Sequence, residues 1–240
     1  MINANNLLEQ FLGAGAAGQV NQAGSAAKQE LNKAGLGGFG GGAIAGGLLG
    51  LMLGNKKMRK MGGGMMSYGG AAAAGALALK AYQNWQQGQH VGTAPVVTQA
   101  DLGSVEPRFI PGANSAANGQ AFPLVLIQAM IAAAKADGHI DAQEQKAIFE
   151  QVDKLGLDAQ SKGFVFDALI KPVDLSALAA SVQGIEQASE VYLVSRMAID
   201  PEHPAELAYL DALAHRLNLP PELAAHLDHQ VAAASVGAER

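Results

Sequence analysis

Five glycines recur at every fourth position of an uncharged stretch from residue 34 to residue 55: Gly38, Gly42, Gly46, Gly50 and Gly54. Because four residues advance an α-helix by about 400°, these glycines stay near one helical face. In a water-soluble helix each interior glycine costs about 1 kcal/mol relative to alanine. In lipid, small residues at this spacing let two helices approach closely. The pattern therefore predicts a membrane segment that self-associates, or packs on another helix, through these glycines.

A second uncharged stretch, residues 61–79, follows a basic cluster at residues 56–60. Each stretch is about long enough to cross a hydrocarbon core of about 30 Å as a helix. Tyr82 and Trp85 follow where interfacial aromatic residues are expected. The pair predicts a glycine-rich transmembrane helical hairpin over residues 34–85, with the lipid bilayer as its partner. Because glycine and alanine are only marginally apolar, the alternative is a flexible Gly/Ala-rich region that merely touches the membrane.

The composition of the flanking segments differs from that of the hairpin. Residues 1–33 are polar, and Leu7, Leu8 and Phe11 at helical spacing predict a weakly amphipathic helix that lies on the membrane or on the domain. Residues 86–120 contain three prolines and show no apolar periodicity. This composition predicts a flexible, disordered linker.

From residue 121 onward, apolar residues recur with the period of a helix, and no segment alternates like a strand. Glycines and prolines separate the periodic stretches. Residues 121–240 are therefore predicted to form an all-α domain of about seven helices. The predicted helices cover residues 122–136, 142–155, 159–170, 174–183, 186–199, 204–217 and 221–235.

Charge and residue types narrow the classes of function. Residues 1–120 carry a net charge of +4 and residues 121–240 a net charge of −9, which gives −5 overall. Because phosphate binding needs a basic face, the acidic half argues against nucleic acid as a partner. The chain has no cysteine, which excludes disulfides and thiolate catalysis. Ser195 has no adjacent general base, and no phosphate-binding loop motif occurs, so no enzymatic activity is expected.

Carboxylates concentrate around one short segment of the helical half. The string KADGHID begins at Lys135, and its glycine permits a turn between two predicted helices. Three carboxylates of this segment would meet at one helix–helix corner. A degenerate second copy precedes the helix predicted at residues 204–217 and supplies two more. The five carboxylates are Asp137, Asp141, Glu144, Asp200 and Glu206.

The string Ala-x-Ala-Asp-Gly-x-Ile-Asp-x-x-Glu at residues 134–144, with its weaker copy, resembles the tellurite-resistance TerB domain. Together with the glycine-rich part, the chain is similar to the DUF533 family of bacterial envelope proteins over residues 35–85 and 121–235. The resemblance implies a TerB-like helical bundle, attachment to the bacterial inner membrane and divalent-metal binding by the five carboxylates. The second unit departs from the pattern, because it lacks the glycine and contains two prolines.

The same carboxylates also have a purely structural explanation. Asp141 and Glu144 have the spacing of a capping box at a helix start, and Asp137 can accept hydrogen bonds from amides in the turn. If a metal ion binds, carboxylate ligands favour Ca²⁺ or Mg²⁺. A weaker candidate is the histidine pair His226 and His229, one helical turn apart. Surface histidines near helix ends are far more common than such a site.

These features predict a membrane-anchored envelope protein whose TerB-like domain is a binding module for an unidentified protein partner, with a divalent cation as its cofactor if it uses one. The alternative is structural: the glycine ladder drives oligomerisation, and the acidic domain only solubilises the assembly. The positive-inside rule assigns the basic cluster at residues 56–60 to the cytoplasm. Both ends of the hairpin, and with them the helical domain, would then lie on the periplasmic side. The resemblance to TerB domains, which are often cytoplasmic, favours the opposite side.

Overall fold

The computed structural model describes residues 2–12, 70–136, 158–199 and 204–236. Within these ranges the regular structure is helical, with eight α-helices and no β-strand, so the all-α prediction is confirmed for this part of the chain. The helices are α1 Ala4–Leu12, α2 Gly70–Gln86, α3 Phe122–Ala134, α4 Ala159–Ile170, α5 Leu175–Ala180, α6 Gly184–Met197, α7 Pro204–Arg216 and α8 Pro221–Val236.

Local side chains explain several helix boundaries. Asp158 accepts hydrogen bonds from the backbone amides of Gln160 (2.9 Å) and Ser161 (3.0 Å), and so satisfies amides left free at the start of α4. Asp174 does the same for α5. Beyond the end of α7, Asn218 adopts a left-handed conformation with φ of 51°, which asparagine tolerates better than most residues. Six of the predicted helices agree with these elements, and the one at residues 142–155 lies outside the described residues.

The centre of the domain is α6. Every side chain from Gln187 to Ser195 is buried, because α6 packs against α2, α3, α7 and α8. A helix enclosed on all sides needs no single apolar stripe. Its serines are accommodated because Ser189 and Ser195 donate hydrogen bonds of 2.7 and 2.8 Å to carbonyls one turn earlier.

The position of α2 differs from the predicted hairpin. Residues 70–79 belong to the second predicted membrane arm, yet every residue from Ala73 to Tyr82 except Lys80 is buried, and the helix packs against α6 and α8. Small side chains permit close helix contacts in a protein interior as well as in lipid. Tyr82, expected at a membrane interface, is instead buried and packs on Trp85 and Phe109 with ring centroids 5.8 and 5.5 Å apart.

Gly75 shows why α2 needs small residues. A Cβ atom added at Gly75 would overlap the carbonyl oxygen of Phe109 and lie 3.2 Å from its carbonyl carbon. The backbone that precedes α3 therefore lies directly on α2. Close approach to a backbone is a common reason for glycine within a helix.

The segment between α2 and α3 is ordered, so the prediction of a disordered linker at residues 86–120 is wrong. Phe109 is fully buried, and Asn84 and Gln230 both donate to the carbonyl oxygen of Pro95, at 2.8 and 2.9 Å. The segment forms the 3-10 turns Val91–Thr93, Asp101–Ser104, Pro107–Phe109 and Pro111–Ala113. Prolines and missing periodicity exclude a long helix, but they leave open an irregular segment whose backbone is satisfied by neighbouring side chains.

The N-terminal helix also packs on this domain. Leu7, Leu8 and Phe11 are almost fully buried in the same core cluster, and α1 contacts α2 and α3. Of the two locations predicted for the amphipathic helix, the structure shows the one on the domain. The glycine ladder, the first hairpin arm and the basic cluster lie outside the described residues. No helix in the described ranges is both long enough and apolar enough to cross a membrane.

Candidate functional site

A cleft of about 440 Å³ lies between α6, α7 and α8, next to the turn that begins at Val91. We call it the α6–α8 cleft. The helix α6 packs against both α7 and α8, and residues of all three helices line the cleft. The polar groups on its walls are Tyr192 and Arg196 of α6, Asp211 of α7, and Asp228 and His229 of α8.

Asp228 is the centre of the polar contacts in this cleft. Its carboxylate accepts a hydrogen bond from the Tyr192 hydroxyl at 3.3 Å and forms an ion pair with Nε of Arg196 at 3.3 Å. Both distances are at the long end for such contacts. Burial raises the pKa of the Asp228 carboxyl, and the attraction of Arg196 opposes this only partly. Burial, followed by the charge of Asp228, raises the pKa of the Tyr192 hydroxyl, so this group remains a donor.

The cleft is acidic and partly apolar. Asp211 lies on the same cleft, and its negative charge contributes to the raised pKa of Asp228. The two carboxylates outnumber Arg196, whose side chain is only 13% exposed. Leu207 on the rim is 42% exposed although it is a large apolar residue. The arrangement can therefore bind a group that combines a positive charge with apolar surface.

A second cleft of about 320 Å³, the α3–α5 cleft, lies on another side of the domain, with Gln128 and Val173 among its lining residues. Next to it, Lys135 donates hydrogen bonds to the carbonyl oxygens of Leu169 (2.7 Å) and Lys171 (2.5 Å), at the end of α4. Burial lowers the pKa of the Lys135 amine. A lysine at the C-terminal carbonyls of a helix is favourable. The first residue of the KADGHID string therefore ties α3 to α4.

Most of the predicted metal ligands lie outside the residues that the structure describes. Asp137, Asp141, Glu144 and Asp200 all lie there, so their mutual arrangement stays a prediction. Glu206 is described and lies buried in the first turn of α7, where a carboxylate favours the helix start. Within residues 2–12, 70–136, 158–199 and 204–236, no group of three or more His, Asp or Glu side chains is arranged to hold a metal ion.

The two histidines of α8 contact the segment before α3. Nε2 of His226 is 3.1 Å from the carbonyl oxygen of Gln89, and Nε2 of His229 is 3.2 Å from that of Ala94. Because a carbonyl oxygen only accepts, both contacts require Nε2–H as the donor. The two rings therefore bind the backbone of the segment before α3 to α8. Burial lowers the pKa of His226, in agreement with a neutral ring. Ser195 is fully buried and donates to a carbonyl of its own helix, so it is not available as a nucleophile.

Two groups in α6 are not predicted from the sequence. One is the pair Tyr192 and Arg196, whose spacing of one helical turn could have indicated a shared face. The other is Glu190, whose carboxyl is fully buried and has no hydrogen-bond partner among the described residues. Burial raises the pKa of Glu190 well above its usual value. Its only signal in the sequence is a charged residue directly before the apolar run at residues 191–194.

Comparison with known proteins adds family membership. The family model described as "Protein of unknown function (DUF533)" matches residues 38–231, which include both the glycine-rich part and most of the helical domain. The uncharacterized protein in the ampR 5′ region of Yersinia enterocolitica is 36% identical over 98 residues, which cover 41% of this chain and 70% of that protein. No solved structure matches. Because the family match spans well over half of its length, the chain belongs to DUF533.

Proposed function

We propose that this protein is a non-enzymatic binding module that recognises a partner protein through the α6–α8 cleft. The observation that carries the proposal is the combination in one cleft of Asp211, a loosely paired Asp228 and the exposed Leu207. Exposed apolar surface rimmed by polar residues is typical of protein-binding sites. The partner segment that fits this cleft carries a lysine or arginine next to an apolar side chain.

The protonated Tyr192 hydroxyl and the paired Asp228 carboxylate favour binding over catalysis in this cleft. Tyr192 remains protonated, and the Asp228 carboxylate is already engaged by Arg196 and Tyr192. A general base needs a free acceptor within reach of a substrate. We therefore propose no reaction for the α6–α8 cleft.

We further propose that the protein acts at the bacterial inner membrane and contacts the bilayer through the first glycine-rich segment, residues 34–55. Because α1 and α2 pack in one domain, residues 12 and 70 lie on the same side of any membrane that the intervening chain enters. The basic cluster at residues 56–60 ends ten residues before α2. The positive-inside rule then favours the cytoplasmic side for the domain, the reverse of the expectation from the hairpin.

A TerB-like role with a divalent cation is a further part of this proposal. It is supported by the KADGHID string and by the carboxylates Asp137, Asp141 and Glu144. The position of Glu206 in the first turn of α7 suits helix stabilisation as well as metal binding. The cation is therefore proposed for the first unit, with Ca²⁺ or Mg²⁺ as the ions that carboxylates prefer.

Photo-cross-linking tests the binding proposal. A photoreactive amino acid at Leu207 in the full chain should give a discrete adduct with another protein in living cells. The matched control is the same amino acid at Ile170, which is 68% exposed and outside the cleft. Asp211→Lys should remove the Leu207 adduct by reversing the charge at the cleft. Equal adducts at both positions, or none at Leu207, would contradict the proposal.

The alternative role, an oligomer assembled through the glycine ladder, predicts a different result. In that case the principal adducts would join two copies of this chain, and Gly46→Leu with Gly50→Leu would remove them by blocking close helix approach. Under the binding proposal, the Leu207 adduct survives these two substitutions.

A further inference from the structure

The groove that holds α1 is shaped for this helix. It is formed by α2, α3 and the turn Pro111–Ala113, and it encloses Leu7, Leu8 and Phe11 at 1%, 0% and 0% exposure. Gly112 leaves room for Asn5: a Cβ atom added at Gly112 would lie 2.5 Å from Oδ1 and 2.8 Å from Cγ of Asn5. The fit therefore combines apolar packing with a contact between the exposed Asn5 side chain and the backbone at Gly112.

Among the described residues, the side-chain oxygens of Asn3 and Asn6 accept hydrogen bonds from within this segment. Asn3 Oδ1 accepts from the amide of Asn6 at 3.1 Å, and Asn6 Oδ1 accepts from Nε2 of Gln10 at 2.7 Å. α1 contains no lysine or arginine, the residues that usually hold an amphipathic helix on a bilayer. Its apolar face thus fits the protein groove, and the α1 helix of another copy would make the same contacts.

The chain between α1 and the rest of its domain is long. The 57 residues from 13 to 69 separate Leu12 from the start of α2. A nine-residue helix is marginal by itself, and closing a longer loop costs more entropy than closing a short one. A second copy at high local concentration therefore competes with the chain's own α1 for the groove.

We propose that α1 is an exchangeable element: two copies of this chain bind each other by inserting α1 of one copy into the α2–α3 groove of the other. The occupant of the groove is thus residues 2–12 of a second copy. This surface is separate from the α6–α8 cleft, so either proposal can fail alone.

The absence of cysteine makes disulfide trapping a direct test. A donor chain carries Asn5→Cys, and an acceptor chain of different size carries Gly112→Cys together with Asn5→Ala, which makes room for the new side chain. After both full chains are mixed and oxidised, a covalent donor–acceptor dimer is expected, several-fold above background. The background is measured with Gly163→Cys in the acceptor, because a Cβ atom there has no neighbour within 4 Å.

Two control experiments show whether the trapped dimer depends on docking of α1. Phe11→Asp in the donor should reduce the trapped dimer to background, since it prevents α1 from entering any groove. A single chain with Asn5→Cys and Gly112→Cys reports docking within one copy. If the mixture gives no dimer above background, the exchange is refuted, whether or not the single chain forms its internal disulfide.

Discussion

Glu190 is a buried acid in the described core. Its carboxyl lies in the central helix α6 at 0% exposure, and neither oxygen has a hydrogen-bond partner among the described residues. Burial without a partner favours the neutral acid and raises the pKa of Glu190 well above 4.5. The folded protein therefore retains a proton that the unfolded chain releases above pH about 4.5. The stability contributed by Glu190 falls as the pH rises from that value towards the folded pKa.

Glu190→Gln removes this ionisation and should stabilise the protein at pH 7. The expected gain is on the order of 1–3 kcal/mol, because raising a pKa by one unit corresponds to about 1.4 kcal/mol and the variant no longer has to take up a proton on folding. Thermal melting at pH 7 and at pH 4 measures it, and the gain should shrink at the lower pH because the unfolded glutamate is then largely protonated. Glu222→Gln, on the exposed first turn of α8, is the control without a gain. A gain of equal size at both pH values would contradict the linkage.

Asp137 is the residue at which metal binding and helix capping can be separated. A cation that binds only the folded state stabilises it by about 2.7 kcal/mol at a hundredfold excess over Kd. Loss of a cap costs only about 1 kcal/mol and does not depend on metal. We expect the full chain to melt at a higher temperature in millimolar Ca²⁺ or Mg²⁺ than in chelator, and Asp137→Asn to abolish the difference. Identical melting curves in metal and chelator would leave these carboxylates as caps.

At the scale of elements, α2 connects the segment that precedes α3 to the core. Gly75 lies under the backbone of Phe109, while α2 itself packs against α6 and α8. The segment is also tied to α6 through Arg108 Nη1, which is 3.0 Å from Oε1 of Glu186. The helix and the segment therefore stabilise each other, and a change at their contact should affect the whole domain.

Gly75→Ala should destabilise the domain although alanine favours helices. The new methyl group would overlap a backbone carbonyl that cannot move without shifting the segment, and overpacking typically costs about 1–3 kcal/mol. The matched control is Gly163→Ala in α4, where the added methyl group meets nothing within 4 Å. That change should stabilise by roughly 0.5–1 kcal/mol. Chemical denaturation of both variants measures the difference, and a gain at both positions would show that no close contact exists at Gly75.

At the scale of the whole molecule, the local sequence patterns predict the positions of the helices well. They predict less well which helices belong to the domain. The helices from Ala159 to Val236 follow from their apolar periodicity and their proline and glycine breaks, so the sequence predicts them within a few residues. The alanine-rich sequence of α2 suits lipid and protein interiors equally, and only the partners α6 and α8 decide between them. The candidate cleft depends on Asp228 meeting Tyr192 and Arg196 across 32 or more residues of sequence, which no local pattern reveals.

The central structural claim is that α2 is a core helix of the domain. Hydrogen exchange of the full chain tests it most directly, because exchange reports opening of backbone hydrogen bonds. The account predicts that amides from Ala76 to Ala81 exchange as slowly as those from Val191 to Val194 in α6, with or without lipid. Rapid exchange of the α2 amides in the absence of lipid, with protection only when bilayers are added, would contradict this claim. It would support a membrane location for α2 instead.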